Sequence, residues 1–594
     1  MKKITMPKIF LIALCFLIRV SDLNSQVMLK EISLEQQIKA SNLVIEGRVI
    51  NKESYWNAGR TQIFTINTVE VYKVFKGQEL ETIEVITPGG KVGGMAQNVS
   101  HGLALRSNDI GVFTLYSASA DKQFKPYSGM QGFYRYDLNN NTSSNPFSKN
   151  QDIKSSLYKN IEAYTKSKYR VLSNFTLGSK FSKSRSAKSV LVPTDISFSP
   201  SIISAGTKTL LTITGNDFGT QGKVGFRNAD SGGLDDDSNP DYLDALDSEV
   251  FSWSDSEIVV EVPSFAGTGD IRIIDGSGDI GYSTSDLTVS YALLTVESGG
   301  NVYPYQYYDD NGDGGLTWQM NLDFSTNIDA VSAYMRAFSK WRCETKINWI
   351  IGDNTSVSIS SGIDNVNVIT FDTASNPLSE GTLGQTITTT SSCNNTDWIV
   401  IDVDMIFDTP TDDPFSDPDK TPWNFGPGPT GFAFDFESIA LHELGHAHGL
   451  GHVIDNNDAM DFNLAFAQDV RSLNSSNIEA GNIVKERSVN NMLCGEDLMT
   501  EFTTCSLSVE DDELENSIAL YPNPANTEFS IKNTASINLE KIVIYDANGR
   551  LITQYDILNS SRINKISLKG ISKGLYFVNI KSNNASINRK LIVN

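Results

Sequence analysis

The sequence predicts a multidomain chain that includes β-barrel or β-sandwich domains, and three observations support this prediction. The chain has 594 residues, and because a domain usually has roughly 100–200 residues, three to five domains are expected. Long stretches alternate apolar and polar residues between turn residues, which is typical of strands in barrels and sandwiches. A hydrophobic content of 40% is that of a globular protein, so a wholly disordered chain is excluded.

The net charge narrows the class of partner. The chain carries 48 basic and 71 acidic side chains, a net charge of −23, and residues 293–519 alone hold 36 acidic against 8 basic residues. Binding to phosphate groups needs clustered Lys and Arg. No nucleic-acid partner and no anionic membrane partner is therefore expected.

The first 25 residues are predicted to be a signal peptide. Lys2, Lys3 and Lys8 precede an apolar run over 9–18, and small or polar residues follow to Ser25, as in secretory signals. The run has about half the ~20 residues that a membrane span needs. We therefore expect export, with no transmembrane segment in the mature protein.

Removal of the signal leaves four cysteines, Cys343, Cys393, Cys494 and Cys505. An even number in an exported chain predicts two disulfides. Three pairings are possible. We favour Cys343 with Cys393 and Cys494 with Cys505, because each of these pairs closes a short loop.

Residues 27–170 contain strand-like runs with Gly-Gly turns, so they are predicted to form a β-rich domain, and the pattern is consistent with a small barrel of the OB kind. His101 lies in this domain, where it is expected to be an ordinary polar residue. Residues 171–192 are rich in Ser and Lys and predict an exposed linker open to proteolysis. Cleavage there, which would separate the N-terminal domain during maturation, is a hypothesis.

In residues 193–291 apolar and polar residues alternate between turn residues, which is typical of a β-sandwich. Their motifs are Phe198-Ser199-Pro200, the run 211–215 (LTITG) followed by Phe218-Gly219, and Trp253-Ser254-Asp255. With these motifs the segment resembles the IPT/TIG family of immunoglobulin-like domains. It contains no cluster of catalytic residue types, so a structural role is favoured over a ligand site.

The segment that carries chemistry is residues 442–452, HELGHAHGLGH, which holds four of the five histidines of the chain. On a helix, His442 and His446 lie on the same face and can reach one zinc ion. Gly449 can adopt the positive φ that ends the helix and brings His452 to the third ligand position. Glu443 is then placed to act as general base on a zinc-bound water. The helix is expected to begin after Asp435 as N-cap.

This motif resembles that of the metzincin metallopeptidases, and most closely that of the matrixins. The resemblance covers about residues 293–508 and implies an α+β domain with a twisted sheet packed on two or three helices. Residues 398–408 are similar to the family's strand ahead of the active-site helix, and residues 328–341 resemble its first long helix. Met460, eight residues after His452, corresponds to the Met of the Met-turn.

Several positions differ from the family pattern or have a simpler explanation. Val453 stands where matrixins typically carry Ser, and Asp461-Phe462 replaces the usual Pro, so specificity is not predicted. No cysteine lies between the signal and Cys343, so a cysteine-switch propeptide is absent and a latent form would need another group at the zinc. His448 should lie on another face of the helix, either exposed or hydrogen-bonded.

Two acidic segments could bind calcium. Asp309, Asn311 and Asp313, followed by Gly314, match the first half of a calcium loop, but Met320 stands at the twelfth position instead of Glu. An ordinary Asx turn is the favoured alternative. The second segment, with Asp412, Asp413, Asp417 and Asp419, is either a calcium site or a solvated loop.

In residues 517–594 apolar and polar residues alternate over short runs, as in strands, and the segment has a basic end. The motifs Tyr521-Pro522-Asn523-Pro524, then 545–550 (YDANGR) and 574–578 (GLYFV), resemble the C-terminal sorting domain of type IX secretion cargo. This resemblance implies Sec export followed by type IX secretion, with the secretion machinery as a partner. The protein would then be secreted or attached to the cell surface.

These features together predict a secreted zinc metalloendopeptidase that acts on protein or peptide substrates. An extended peptide would pair with the edge strand ahead of the active-site helix. The alternative from another class is a cell-surface adhesin or glycan-binding protein with an inactive protease-like domain. The intact set of His442, Glu443, His446 and His452 favours the enzyme.

Overall fold

The computed structural model describes residues 29–118, 122–138, 141–173, 192–233, 241–357, 364, 366–373, 377–411, 420–426, 433–462, 468–503, 518–533, 539–546, 550–557, 563–582 and 586–594. The predicted signal peptide, most of the predicted linker, Cys505 and the second acidic segment lie outside these residues. Among the described helices, none is long and apolar enough to cross a membrane.

The N-terminal module, residues 29–173, is a β-structure with two short helices. Its elements are α1 (Leu34–Ala40), β1 (Leu43–Trp56), β2 (Ile63–Lys76), β3 (Thr82–Pro88), β4 (Gly90–Val92), β5 (Met95–Val99), β6 (Ile110–Ser117), β7 (Gln123–Pro126), β8 (Phe133–Asp137), β9 (Thr142–Asn145), β10 (Ser148–Asn150), α2 (Lys159–Thr165) and β11 (Arg170–Val171). Strands β1, β2, β3, β7 and β6 are neighbours in that order, and β6 pairs again with β1. The five strands thus close into a ring around a core that includes Val71, Val85 and Phe113, because each strand buries one face.

Residues 194–293 form a sandwich. Its strands are β12 (Thr194–Ser199), β13 (Ile202–Ala205), β14 (Leu210–Asn216), β15 (Lys223–Asn228), β16 (Tyr242–Asp244), β17 (Val250–Trp253), β18 (Glu257–Glu261), β19 (Ala266–Ile274), β20 (Ile280–Tyr282) and β21 (Thr288–Leu293). One sheet has the order β12-β14-β18-β17 and the other β16-β15-β19-β20. Alternating residues such as Ile213, Val224 and Ile273 fill the core between them, which is the expected packing of two sheets.

Residues 295–503 contain the long helices. The elements are β22 (Thr295–Ser298), β23 (Asn301–Gln306), β24 (Leu316–Met320), α3 (Leu322–Ser325), α4 (Ile328–Thr345), β25 (Trp349–Ile351), β26 (Asn367–Phe371), β27 (Gly384–Ser392), β28 (Trp398–Phe407), β29 (Trp423–Asn424), β30 (Phe434–Asp435), α5 (Phe436–Ala447), β31 (Leu450–Gly451) and α6 (Ser475–Asn490). The predicted helix over 328–341 is confirmed as α4 and runs four residues further. Trp341 of α4 is fully buried and donates its indole N–H to the carbonyl of Leu441 in α5 at 2.7 Å, so the two helices are fixed side by side.

The sheet of this domain has the order β25-β24-β26-β28-β27-β5-β4. Its last two strands come from the N-terminal module, which therefore extends the sheet. The strand over 398–407, β28, lies between β26 and β27 and has no free edge. At the end of the sheet that β5 and β4 extend, the last strand of the domain itself is β27. The strand with which a peptide is predicted to pair is therefore β27 and not β28.

The favoured disulfide pairing is wrong. Cys393 is bonded to Cys494, across 101 residues of chain. Cys343 is also disulfide-bonded. The prediction failed because it ranked pairs by loop length, whereas folding brings the end of β27 close to the segment after α6, with a Cα–Cα distance of 5.4 Å.

The C-terminal segment forms two small sheets. Its strands are β32 (Ile518–Tyr521), β33 (Glu528–Asn533), β34 (Leu539–Asp546), β35 (Leu551–Asp556), β36 (Ile563–Ser567), β37 (Gly574–Ser582) and β38 (Ser586–Val593). The sheet orders are β32-β33-β36 and β35-β34-β37-β38. Phe529, Ile542 and Val578 belong to the core between them, so the segment has a core of its own.

Candidate metal centre

Helix α5 positions the first two histidines of the motif. The Asp435 side chain accepts a hydrogen bond from the backbone N–H of Ser438 at 3.0 Å, which confirms the predicted N-cap. The helix ends at Ala447, and Gly449 has a φ of +88°, which confirms the predicted reversal of the chain. His442 and His446 therefore point to the same side, and the chain returns with His452.

The three imidazoles converge through their Nε2 atoms. The Nε2 of His452 lies 3.1 Å from that of His446 and 3.3 Å from that of His442. Ligands at about 2.0–2.1 Å from a tetrahedral zinc ion are separated by roughly 3.3–3.4 Å. The residues present therefore fit a zinc ion.

Each imidazole is oriented by a bond at its other nitrogen. His442 Nδ1 lies 2.8 Å from the carbonyl of Ala459, and His446 Nδ1 lies 2.9 Å from that of Leu450. A carbonyl can only accept, so each Nδ1 donates and each Nε2 carries the lone pair that a metal needs. Burial also lowers the pKa of both histidines, which keeps the rings neutral for ligation.

His452 is oriented by the sandwich domain. Its Nδ1 lies 2.7 Å from Oδ1 of Asp230, which belongs to the one-turn helix Ala229–Ser231 after β15. The last strand of the sandwich, β21, also pairs with β31, just before His452. The sandwich is therefore part of the architecture of the metal centre, a role that its sequence did not indicate.

This contact leads to a testable prediction for Asp230→Ala. A carboxylate that fixes a ligating histidine typically contributes 10–100-fold to metal affinity, so zinc affinity should fall by about that factor. The measurement is a competition titration with a zinc-binding dye. Asp247→Ala, an exposed acidic position in the same sandwich, is the control and should leave affinity unchanged. Equal affinity in both variants would contradict the orienting role.

Glu443 lies beside the histidines in a fully buried position. Its carboxylate accepts a hydrogen bond from the Thr386 hydroxyl of β27 at 2.7 Å. Burial acts to raise the pKa of Glu443, but a hydrogen bond from His101 and the nearby imidazoles lower it overall. The carboxylate is thus ionised and held at one edge of the site, where a base is needed.

Met460 lies directly beneath the helix. A Cβ atom placed on Gly445 would stand 2.1 Å from the Met460 sulfur, so only glycine leaves room for this packing. Val453 N–H donates to the carbonyl of Met460 at 2.9 Å, which closes the turn. Phe462 packs against Gly232 of the sandwich, where an added Cβ would lie 2.5 Å from the ring.

His448 is fully buried between Trp341 and Trp349. Its Nε2 lies 3.1 Å from the Thr345 hydroxyl. It therefore has a hydrogen-bond partner on a face away from the other histidines, as the helical periodicity predicted.

The expectation for His101 was wrong. His101 lies with His442, His446 and His452 in one group whose ligand atoms are all within 4.8 Å of one another. Its Nε2 lies 3.2 Å from Glu443 Oε1. The prediction failed because His101 is separated from the motif by more than 300 residues, and its only sequence signal was the rarity of histidine in this chain.

The candidate calcium loop is a turn that satisfies its own polar groups. The Asp309 carboxylate accepts backbone N–H groups of Gly312 and Gly314 at 2.8 and 2.9 Å. Asn311 accepts the N–H of Asp313 at 3.0 Å and donates to the Thr317 hydroxyl. These contacts are those of an Asx turn. Calcium binding at Asp309, Asn311 and Asp313 stays a prediction.

A cavity of about 650 Å³ lies beside the histidines. His446 and His452 form part of its wall, together with Arg106 of the N-terminal module and Asp241 of the sandwich. The histidine group thus lies where three parts of the chain meet.

Three histidines on a helix and its return loop, with a buried glutamate between them, define a metal centre of the metallopeptidase class. Comparison with known families agrees with this class. Residues 313–480 match the family model described as Matrixin. Residues 193–291 match the IPT/TIG domain, and residues 519–594 match the secretion system C-terminal sorting domain.

The chain therefore carries, in one sequence, segments that match the matrixin, IPT/TIG and type IX sorting domain families. The sorting domain directs the chain to secretion through the type IX machinery. The matrixin match also implies zinc as the metal, in agreement with the geometry of the three histidines.

Similarities beyond these family matches include the following two. Beta-agarase A of Zobellia galactanivorans (strain DSM 12802 / CCUG 47099 / CIP 106680 / NCIMB 13871 / Dsij) is 31% identical over 77 residues, which are 13% of this chain and 14% of that protein. A solved structure of a tetra-tandem repeat in the extending region of a large adhesion protein is 10% identical, with a TM-score of 0.10 over 93% of this chain and 92% of that chain. At this TM-score the two folds do not superpose, so no argument follows from it.

Proposed function

We propose that the protein is a secreted zinc-dependent metalloendopeptidase that hydrolyses peptide bonds of extracellular proteins. The observation that carries the proposal is the convergence of three Nε2 atoms, 3.1 and 3.3 Å apart, next to a buried glutamate that is not needed as a ligand. A purely structural zinc site has no use for a carboxylate that lies beside the metal without ligating it.

His442, His446 and His452 would hold the zinc ion. When bound there, zinc polarises a peptide carbonyl and lowers the pKa of a water to about 7. Glu443 takes the proton of the attacking water and passes it to the amine that leaves. The Thr386 hydroxyl, 2.7 Å from the carboxylate, keeps Glu443 in the orientation for both transfers.

The substrate would be an extended peptide paired with β27. This strand is the last one that the metallopeptidase domain itself contributes at the end of the sheet that β5 extends, and its edge would offer unpaired backbone groups to a peptide once β5 is displaced. Thr386 lies on β27 and contacts Glu443. A peptide on this edge would therefore run past the base and the three histidines.

The rival function, an adhesin with an inactive protease-like domain, is less well supported by the site. A degenerate site would be expected to lose a ligand, the base or the orienting contacts. Here His442, His446 and His452 each keep a partner at Nδ1, and Glu443 keeps its hydroxyl donor.

Removal of the metal tests the proposal. In its activated form the secreted protein should cleave a fluorescent casein, and 1,10-phenanthroline should reduce the rate at least about tenfold because water is then no longer activated. The isomer 1,7-phenanthroline, which does not chelate, is the control and should have no effect. Added zinc should restore cleavage. Cleavage that resists the chelator, or protein that contains no zinc, would overturn the assignment.

A further inference from the structure

The N-terminal module occupies the strand edge that a substrate would use. Strand β5 pairs antiparallel with β27, with Val99 opposite Ile387 and Met95 opposite Ser391. Beyond the strand, the N–H of Ser100 donates to the carbonyl of Thr386 at 2.9 Å. The hairpin β4–β5 thus extends the sheet as a bound peptide would by β-augmentation.

The chain after β5 then enters the metal centre. The Ser100 hydroxyl donates to Oε2 of Glu443 at 3.1 Å, and His101 Nε2 lies 3.2 Å from Oε1 of the same carboxylate. Two consecutive residues therefore contact both oxygens of the proposed base. A substrate and an attacking water could not reach Glu443 while these contacts persist.

His101 has the position and the surroundings of a ligand. It is buried, with 6% of its surface exposed, and its ring centroid lies 5.2 Å from that of His452 and 5.6 Å from those of His442 and His446. Its φ of +56° is uncommon for a residue with a side chain, and such conformations concentrate at functional sites. Four buried imidazoles around one point match the number of protein ligands in a zinc site that has no position left for water.

Other contacts hold the hairpin in this place. Gln97 of β5 accepts the backbone N–H of Ile63 at 2.7 Å and donates to the Thr389 hydroxyl of β27 at 3.1 Å. Its side chain therefore ties the barrel of the N-terminal module to the metallopeptidase sheet. Lys91 of β4 contacts Ser298 at the far end of the hairpin.

We propose that, when the metal is bound, His101 Nε2 exchanges its contact with Glu443 for the metal and becomes the fourth protein ligand, and that residues 95–101 keep the enzyme latent by filling the substrate edge and the open coordination position together. A catalytic zinc site needs that fourth position free for water. Latency in this form rests on the proposed peptidase function, whereas the ligand assignment does not. Activation then requires the hairpin to leave β27, which exposes the edge and the metal in one step.

The first test is X-ray absorption of the zinc-loaded, full-length, unsubstituted protein. Four imidazole neighbours at about 2.0–2.1 Å are expected. Three imidazoles and one oxygen neighbour would overturn the ligand assignment. Because no residue is changed, the result does not depend on the folding of a variant, and it does not depend on peptidase activity.

The second test compares variants of the full-length protein. His101→Ala should release zinc to a chelating dye at least about tenfold faster than the unsubstituted protein, because one ligand is lost. His101→Cys supplies another zinc ligand and should restore slow release. Lys39→Met, at an exposed position in α1 of the same module, is the control and should release zinc at the unsubstituted rate. Equal rates in all four proteins would overturn the proposal.

The third test measures access to the site by binding. A fluorescent peptide hydroxamate, which needs both the strand edge and a free metal position, should bind His101→Ala at least about tenfold more tightly than the unsubstituted protein. Equal binding would overturn latency by residues 95–101. Tighter hydroxamate binding without any casein cleavage would leave this inference standing and refute the proposed peptidase function.

Discussion

Replacement of Glu443 by Ala is expected to reduce kcat/KM for peptide cleavage by about 10²–10⁴-fold, the usual contribution of a positioned general base. The loss corresponds to about 3–5 kcal/mol of transition-state stabilisation. Zinc content should stay at one equivalent, because His442, His446 and His452 hold the metal without Glu443. The measurement is initial rates on a fluorescent peptide after activation of both proteins, with metal analysis of the same samples.

Two further variants separate the role of Glu443 as a base from its role in packing. Glu443→Gln keeps the shape and can still accept the Thr386 hydroxyl, whose oxygen lies 2.7 Å from the carboxylate, but it cannot take a proton. It should be as inactive as Glu443→Ala while melting at the unsubstituted temperature. Glu486→Gln, on the exposed side of α6, is the control and should keep full activity. A Glu443→Gln protein with normal rates would refute the assignment of the base.

The paired substitution Cys393→Ser/Cys494→Ser should lower the stability of the metallopeptidase domain by about 2–5 kcal/mol. The bond closes a loop with a sequence separation of 101 residues, and long loops lose the most entropy when they are cross-linked in the unfolded chain. For a domain of this size, Tm should fall by about 4–20 °C. Differential scanning calorimetry of both proteins measures the shift.

Peptide mapping without reduction provides the independent check of this disulfide. A proteolytic digest of the unsubstituted protein should contain a fragment that links Cys393 to Cys494, and the paired variant should lack it. Asn394→Ala, next to the bond in the same exposed loop, is the control for local effects and should shift Tm by much less. A fragment that links Cys393 to Cys343 would contradict the structure.

The features that were predicted correctly depend on neighbours in the sequence. The N-cap at Asp435, the reversal at Gly449 and the orientation of His448 follow from helix geometry, which is fixed by hydrogen bonds over three or four residues. The spacing of the motif likewise placed His442 and His446 on one face. A local rule was enough for each of these because the residues concerned lie within one or two turns of each other.

The features that were missed depend on contacts between distant segments. Nothing near His101 in the sequence distinguishes it from a surface histidine, and nothing near Asp230 marks it as a partner of His452. Both residues lie in β-modules that predicted no chemistry of their own. The disulfide between Cys393 and Cys494 was missed for the same reason, because the fold brings together two cysteines that do not close the shortest loop.

The sequence by itself determined the class of chemistry that we propose, since HELGHAHGLGH places three candidate metal ligands and a candidate base within one helix and one turn. It also indicated the order of the domains, because the alternation of apolar and polar residues and the positions of turn residues can be recognised within each segment separately. Only the tertiary structure decided what surrounds the metal. β-Strand pairing joins chain segments through backbone groups that every residue carries, so the sequence does not specify that β5 adds to β27. That single pairing brings His101 to the other three histidines.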